Sequence, residues 1–380
     1  MRVVIAPDSF KECASARRVA DCIATGLHRA WPTAELDRVP MADGGEGTVD
    51  ALVAATDGTF VTTTVTGPLG ESVDARWGLL GDRSTAVIEM AAASGLALVP
   101  RERRDPRYTT TRGTGELIAA ALEMGVLRIV IGIGGSATND GGAGMAQALG
   151  YSLQDADGNE LGPGGAALVR LARIGADNVH PALSRCEILV ACDVANPLCG
   201  PEGASYVYGP QKGASPETIE ELDLALRRFA EVVKAQLGKH VADVPGSGAA
   251  GGLGAGLIAF ARGTLRSGVD VVAQACRLDE RVRRADLVIT GEGRLDAQTA
   301  QGKTPAGVAR IAKRHGVPVI AISGALGTGF KSTYKHGIDA AFSICPRPMS
   351  LEEARASVEE LLADAAESIA RVWTISRRGT

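Results

Sequence analysis

The sequence predicts an α/β protein built on parallel sheets, and three observations point there. Short apolar runs rich in β-branched residues recur at 3–6, 128–133, 187–191, 286–290, 318–322 and 340–344. Most are apolar at every position rather than at alternate ones, as in strands covered on both faces. Helical patterns lie between several of them, and glycine, hydroxyl and acidic residues follow most of the strand ends.

Residues 3–6 read as a first strand, because the apolar start is broken by Asp8 before it reaches signal-peptide length. The clearest helix spans 215–238. Ser215 supplies its N-cap, Pro216 its first position and Gly238 its end. Ile219, Leu222, Leu226, Phe229, Val233 and Leu237 then recur at three- and four-residue spacing, a stripe that faces a core. The runs at 286–290, 318–322 and 340–344 are expected to share a sheet with 3–6. No internal repeat or low-complexity linker divides the chain.

Composition bounds the function. A chain of 380 residues suggests two domains, and 45% hydrophobic with 22% charged residues is the balance of a folded protein. The 48 glycines exceed the roughly 7% of average usage. Without a collagen period they imply many tight loops, where phosphate groups are often held. A formal charge of −4 and the lack of a basic, aromatic-interleaved stripe exclude nucleic acid as the expected partner. No apolar run approaches the roughly 18 residues that span a bilayer, so no membrane is expected. Seven cysteines are dispersed at 13, 22, 186, 192, 199, 276 and 345 without a C-x-x-C pair, which fits reduced thiols in the cytoplasm. The five histidines are also dispersed and predict no metal centre.

The loops after the strands carry the chemistry. They read Pro7-Asp8-Ser9-Phe10-Lys11, then Gly134-Gly135-Ser136-Ala137-Thr138-Asn139-Asp140-Gly141-Gly142. They continue with Cys192-Asp193-Val194-Ala195-Asn196-Pro197 and Gly291-Glu292-Gly293-Arg294-Leu295-Asp296. Ligands of open α/β sheets bind outside the carboxyl ends of strands, so four such loops predict an active-site cleft. The stretch 134–144 offers bare N–H groups ahead of a helix and suits phosphate, although the same glycines can simply turn a strand into a helix. The stretch 248–256 fits a second cradle and close helix packing equally. Asp43 and Glu46, set among glycines at 41–48, can hold Mg²⁺ or form ordinary turns. Residues 297–304 (A-Q-T-A-Q-G-K-T) match a relaxed Walker A pattern. Residues 291–297 separate the pattern's second position from the strand end and Pro305 follows at once, so a P-loop fold is not expected, though Lys303 can still meet a phosphate.

Eight blocks in order then carry a resemblance. They are 6–11 (A-P-D-S-F-K), 42–48 (A-D-G-G-E-G-T), 110–118 (T-T-R-G-T-G-E-L-I) and 131–144 (I-G-I-G-G-S-A-T-N-D-G-G-A-G). The others are 191–198 (A-C-D-V-A-N-P-L), 208–214 (Y-G-P-Q-K-G-A), 248–252 (G-A-A-G-G) and 289–296 (I-T-G-E-G-R-L-D). Over nearly its whole length the chain resembles bacterial glycerate kinases of the class that forms 2-phosphoglycerate. It departs at Cys13-Ala14, where the family usually has Ser-Leu. Those positions are expected in the first helix, with a packing change only.

The resemblance implies a Rossmann-like parallel-sheet domain built from both chain ends, at 1–66 and 285–380. A glycine-rich α/β insertion domain at 67–284 is implied between them, with the active site in the inter-domain cleft. It implies ATP-dependent phosphorylation of D-glycerate to 2-phospho-D-glycerate, with ATP and Mg²⁺ as cofactors. Phosphoryl transfer asks mainly for in-line positioning and neutralisation of charge. Among residues in the resembling blocks, Asp193, Asp296 and Lys11 are the expected catalytic groups, and Ser9, Arg294 and Asp43 the expected glycerate contacts. Gly134, Gly135, Ser136, Asn139, Gly251, Gly252 and Lys212 are expected at the nucleotide phosphates, and Glu46 with Asp193 at Mg²⁺. A kinase for another small sugar acid and a non-catalytic nucleotide-binding module are the competing readings. A homodimer is compatible with the sequence, which does not fix the oligomeric state.

Overall fold

Val3, Val4 and Ile5 are each fully buried, so the first strand is covered on both faces, as its unbroken apolar run predicts. The computed structural model describes residues 1–377. Its strands, in chain order, are β1 (Arg2–Pro7), β2 (Glu35–Arg38), β3 (Thr59–Thr66), β4 (Ser72–Leu79), β5 (Thr85–Glu89), β6 (Arg128–Gly132) and β7 (Ser152–Gln154). They continue with β8 (Arg173–Gly175), β9 (Glu187–Ala191), β10 (Thr264–Arg266), β11 (Leu287–Leu295), β12 (Val319–Leu326) and β13 (Ala340–Ser343).

The chain groups into two compact units. The first takes residues 1–43, 50–57 and the chain from 269 onward. Its sheet runs β13-β12-β11-β1-β2, and every neighbouring pair is parallel. Four of these strands are the ones expected to share a sheet; β2 is additional. Val3 and Ile5 pack with Val19, Ile23 and Leu27 of the helix Ala16–Ala30 and with Leu362 and Ile369 of the helix Val358–Arg377. Each such aliphatic side chain contributes about 1.5–3 kcal/mol by leaving water. Ser15 caps the first helix by accepting from Arg18 N at 3.3 Å. Cys13 and Ala14 therefore lie in the turn before that helix, not inside it as expected. Their turn is closed by a Phe10–Ala14 bridge and by Cys13 N donating to Phe10 O at 2.8 Å.

A second correction concerns 291–296. Most of this stretch is strand rather than loop, with Arg294 opposite Ala325 and Leu295 opposite Leu326. A Cβ on Gly291 would stand 1.9 Å from the Ile322 carbonyl oxygen. The glycine lets β12 close against β11 and extends the sheet by half a strand.

The second unit takes residues 44–49 and 58–268. Its main sheet runs β10-β9-β6-β5-β4-β3, with β5, β6, β9 and β10 parallel and β4 and β3 antiparallel at the edge. The units part from the expected boundaries in three places, the first being residues 44–49, which group with the second unit. β3 pairs with β4 along its whole length and so leaves the first unit, while residues 269–284 join it. The expected domain end at 378–380 lies outside the described residues. The helix Pro216–Leu237 starts at Ser215 and ends at a left-handed Gly238, as its caps predict. It buries Ile219, Leu222, Leu226, Phe229 and Val233 in the core of this unit. All seven cysteines are free thiols. Among the described residues no helix is long and apolar enough to cross a membrane.

Candidate active site

Strand order in the first sheet reverses between β1 and β11, because the chain leaves β1 for β2 on one side and returns to β11 on the other. Crevices for ligands form at such a switch point, outside the carboxyl ends of the strands. A cavity of about 540 Å³ opens there. Asp8 and Ser9 line it just past β1, Glu292, Gly293 and Arg294 from β11, and Gly324 and Ala325 from β12. Lys11, Asp43, Lys303, Ser350 and Arg355 add to its polar lining.

The acids in this cavity are displaced from ordinary behaviour. The Asp8 carboxylate accepts from Ser9 N at 2.6 Å and from Thr304 Oγ1 at 2.5 Å. Burial holds Asp8 above the usual aspartate range; the Thr304 hydrogen bond opposes the rise, and the Asp43 charge adds to it. Burial pushes the Glu292 carboxyl up to about 7. A hydrogen bond from Thr299 Oγ1 and the Lys303 ammonium, 4.0 Å away, pull it back, while the charges of Asp8 and Asp296 add to the rise. A carboxyl poised there can accept a proton near neutral pH. Asp296 stands behind Arg294, 3.4 Å from its Nε, and accepts from Gln298 N at 2.9 Å. Its place is to orient Arg294 and the turn, whereas Arg294 itself is exposed on the wall.

Five of the expected residues thus belong to this cavity: Ser9, Lys11, Asp43 and Arg294 on its wall, and Asp296 behind. Sequence reasoning gave no role to Asp8 and Glu292, though both sit in quoted blocks. Each is an acid beside a glycine or proline where an apolar run ends in the sequence, the signal that could have found them.

The remaining expected residues lie in the second unit. β6 and β9 are neighbours, so the loops after them share one edge of the sheet. The segment 44–48 lies against that edge, with Gly44 packed on Ala191 and Gly132. Glu46 is exposed. Asp193 is also exposed, and its Oδ1 accepts from Gly268 N at 2.9 Å. Gly134 and Gly135 form the exposed tip of their loop, and residues 136–140 behind the tip are buried. Lys212 is 1% exposed and donates to Ser136 Oγ at 2.8 Å and Thr138 O at 2.6 Å. Burial pushes the Lys212 ammonium down to about 7, with the Asp140 charge opposing. Asn139 Nδ2 donates to Ser205 Oγ at 3.0 Å. Asp140 accepts from Thr111 N and Oγ1, from Gly142 N and from Gly144 N, so the chain's own carboxylate caps the helix Ala143–Ala148.

The wide cradle expected over 134–144 therefore narrows to Gly134 and Gly135. Lys212 braces the loop from beneath through Ser136 and Thr138, and Asn139 ties it to Ser205 through Nδ2 while its Oδ1 is buried without a hydrogen-bond partner. Gly251 and Gly252 are also buried, and a Cβ on Gly251 would stand 1.9 Å from Thr138 O. Of the two readings left open for that stretch, close packing is the one the backbone takes.

Residues 3–374 match the model of the glycerate kinase family. The chain belongs to this family. It is 56% identical over 370 residues to a glycerate kinase of Halalkalibacterium halodurans, covering 97% of each chain. It is 53% identical over 378 residues to glycerate 2-kinase of Escherichia coli, covering 100% of this chain and 99% of the relative. A crystal structure from Salmonella typhimurium LT2, assigned to glycerate kinase 2, superposes with a TM-score of 0.93 at 52% identity. That match covers 100% of this chain and 99% of the other. As a glycerate kinase family member the chain is an enzyme.

Proposed function

We propose that this enzyme transfers the γ-phosphoryl group of ATP to D-glycerate and releases 2-phospho-D-glycerate. One observation carries the reading: a cavity at the sheet's switch point sets three carboxylates, Asp8, Asp43 and Glu292, beside three cations, Lys11, Arg294 and Lys303. Glycerate brings a carboxylate, which the cations pair with, and hydroxyls, which Ser9 and an acid can bond. Glu292 accepts the proton of the attacking hydroxyl, because a base poised near 7 matches that task at neutral pH. Arg294 is held by Asp296 and orients the substrate carboxylate. Within the second unit, the exposed Gly134-Gly135 backbone has N–H groups that suit a phosphate, and Asp193 adds a charge at the neighbouring loop.

Mg²⁺ fits the chemistry of these oxygen donors. Among the described residues, however, no three candidate ligands gather at binding separation. Mg²⁺ is commonly held by one or two carboxylates plus substrate phosphates, so Asp8 and Asp43, or Glu46 and Asp193, would complete an ion that arrives with ATP. When bound it supplies neutralisation of the charge spread over the transferring group.

The test is phosphorus NMR of a reaction with ATP, Mg²⁺ and D-glycerate. The expected product is the 2-phosphate, with ATP consumed only when glycerate and Mg²⁺ are both present. The 3-phosphate, or equal ATP turnover without glycerate, would overturn the reading.

A further inference from the structure

A second cavity, of about 270 Å³, lies in the second unit, where the last turn of the helix Ala249–Ala261 meets the segment 176–184. None of its lining residues belongs to the candidate active site. Four of the ten are polar, Tyr151, His180, Ser184 and Arg262, and the other six are apolar. Phe260 supplies a buried ring whose centroid stands 4.9 Å from that of Tyr151.

The polar groups decide the charge of a ligand. Tyr151 spends its hydroxyl proton on Phe260 O at 2.8 Å, and Ser184 spends its own on Pro181 O at 3.2 Å. His180 Nδ1 accepts from Ala182 N at 3.3 Å, so the imidazole N–H is on Nε2. Arg262 brings a permanent cation and makes no ion pair among the described residues. Burial raises the Tyr151 phenol and the Arg262 charge pulls it back, which sets the guanidinium near the phenol. A helix C-terminus by itself favours a cation. Here two carbonyls near that end are already taken: Leu257 O accepts from Arg262 N and Gly263 N, and Phe260 O accepts from Tyr151. Among the described residues no acid lines the cavity. The unspent donors are therefore a guanidinium and an imidazole N–H, set beside apolar surface.

We infer that this cavity binds a small carboxylate with an apolar body, its carboxylate on Arg262 and His180 and its body against Phe260. A carboxylate matches the planar fork of a guanidinium and accepts from an N–H. At about 270 Å³ the space is smaller than that of a site for a drug-sized ligand, so a body of about one ring fits. The site lies wholly in the second unit, and it stands whether or not the acceptor of the phosphoryl group is glycerate.

The probe is benzoate, titrated into the full-length protein and followed by protein NMR. The wild type should bind it saturably in the millimolar range, with shifts centred on the amides of 176–184 and 260–263. Acetate lacks the body and benzyl alcohol lacks the charge, and each should bind at least about threefold more weakly than benzoate. Arg262→Gly removes the guanidinium. Glycine suits the left-handed backbone there, at a φ of 53°, so the variant should fold. Its benzoate affinity should fall about tenfold, as for the loss of a charge-assisted hydrogen bond. Ala176→Trp sets an indole on an exposed lining residue and should weaken benzoate by a similar factor without removing a charge. No saturable shift, shifts scattered over the surface, benzyl alcohol binding as tightly as benzoate, or wild-type affinity in either folded variant would overturn the inference.

Discussion

Replacing Glu292 by glutamine should make the protein more stable and less active, and the two effects should follow the same carboxyl. The glutamine keeps an oxygen to accept from Thr299 Oγ1, so shape and hydrogen bonding persist while the charge disappears. Glu292 is 9% exposed, and burial is the main reason its carboxyl is pushed up to about 7 from the usual 4.5. A raised carboxyl favours folding below its unfolded value and loses that advantage as pH rises through its folded value. The window is therefore pH 4.5 to about 7. At about 1.36 kcal/mol per pKa unit, the stability lost across it is about 3 kcal/mol. Urea unfolding of wild type and Glu292→Gln at pH 5 and pH 8 measures it. The variant should gain about 2–3 kcal/mol on the wild type between the two pH values, while its turnover at pH 8 falls by about a hundredfold or more. A stability difference independent of pH would refute the burial argument, and full turnover would remove Glu292 from the chemistry.

Two further outcomes are expected. Asp193→Asn keeps an acceptor for Gly268 N and should fold normally. Its turnover should fall by roughly a hundred- to ten-thousand-fold if the charge acts as a base, with partial recovery at high Mg²⁺ if the charge instead serves the ion; a folded variant that keeps its turnover assigns Asp193 a structural role. Gly251→Ala sets a Cβ against Thr138 O at a backbone φ of 67°. It should destabilise the second unit by about 2 kcal/mol or more in urea unfolding, and unchanged stability would show that the close approach is not needed.

Strands that are buried on both faces were legible because burial writes itself as an unbroken apolar run. Residues 3–6, 128–133 and 187–191 coincide closely with β1, β6 and β9. β3 was not legible for the opposite reason. Its sequence, T-F-V-T-T-T-V-T, is rich in β-branched residues but polar, and it is paired on one side only, to β4. An edge strand needs little apolar content, so a search for apolar runs passes over it. The candidate site was legible in its blocks and not in its assignments, and glycine is the cause. Gly134 and Gly135 are exposed, Gly251 and Gly252 are buried against a neighbouring loop, and Gly291 continues a strand. Absence of a side chain permits a phosphate to approach, but it equally permits another backbone to approach, and the letters are the same in either case. What decides is the partner across the gap, often far away in the chain. The same holds for charge. Lys11 and Lys212 both occur in blocks of the glycerate kinase family, yet one lines a cavity and the other spends its ammonium on Ser136 and Thr138. A buried lysine of that kind holds the loop that carries Gly134 and Gly135, so what it fixes is backbone geometry, and its charge is not presented to a ligand.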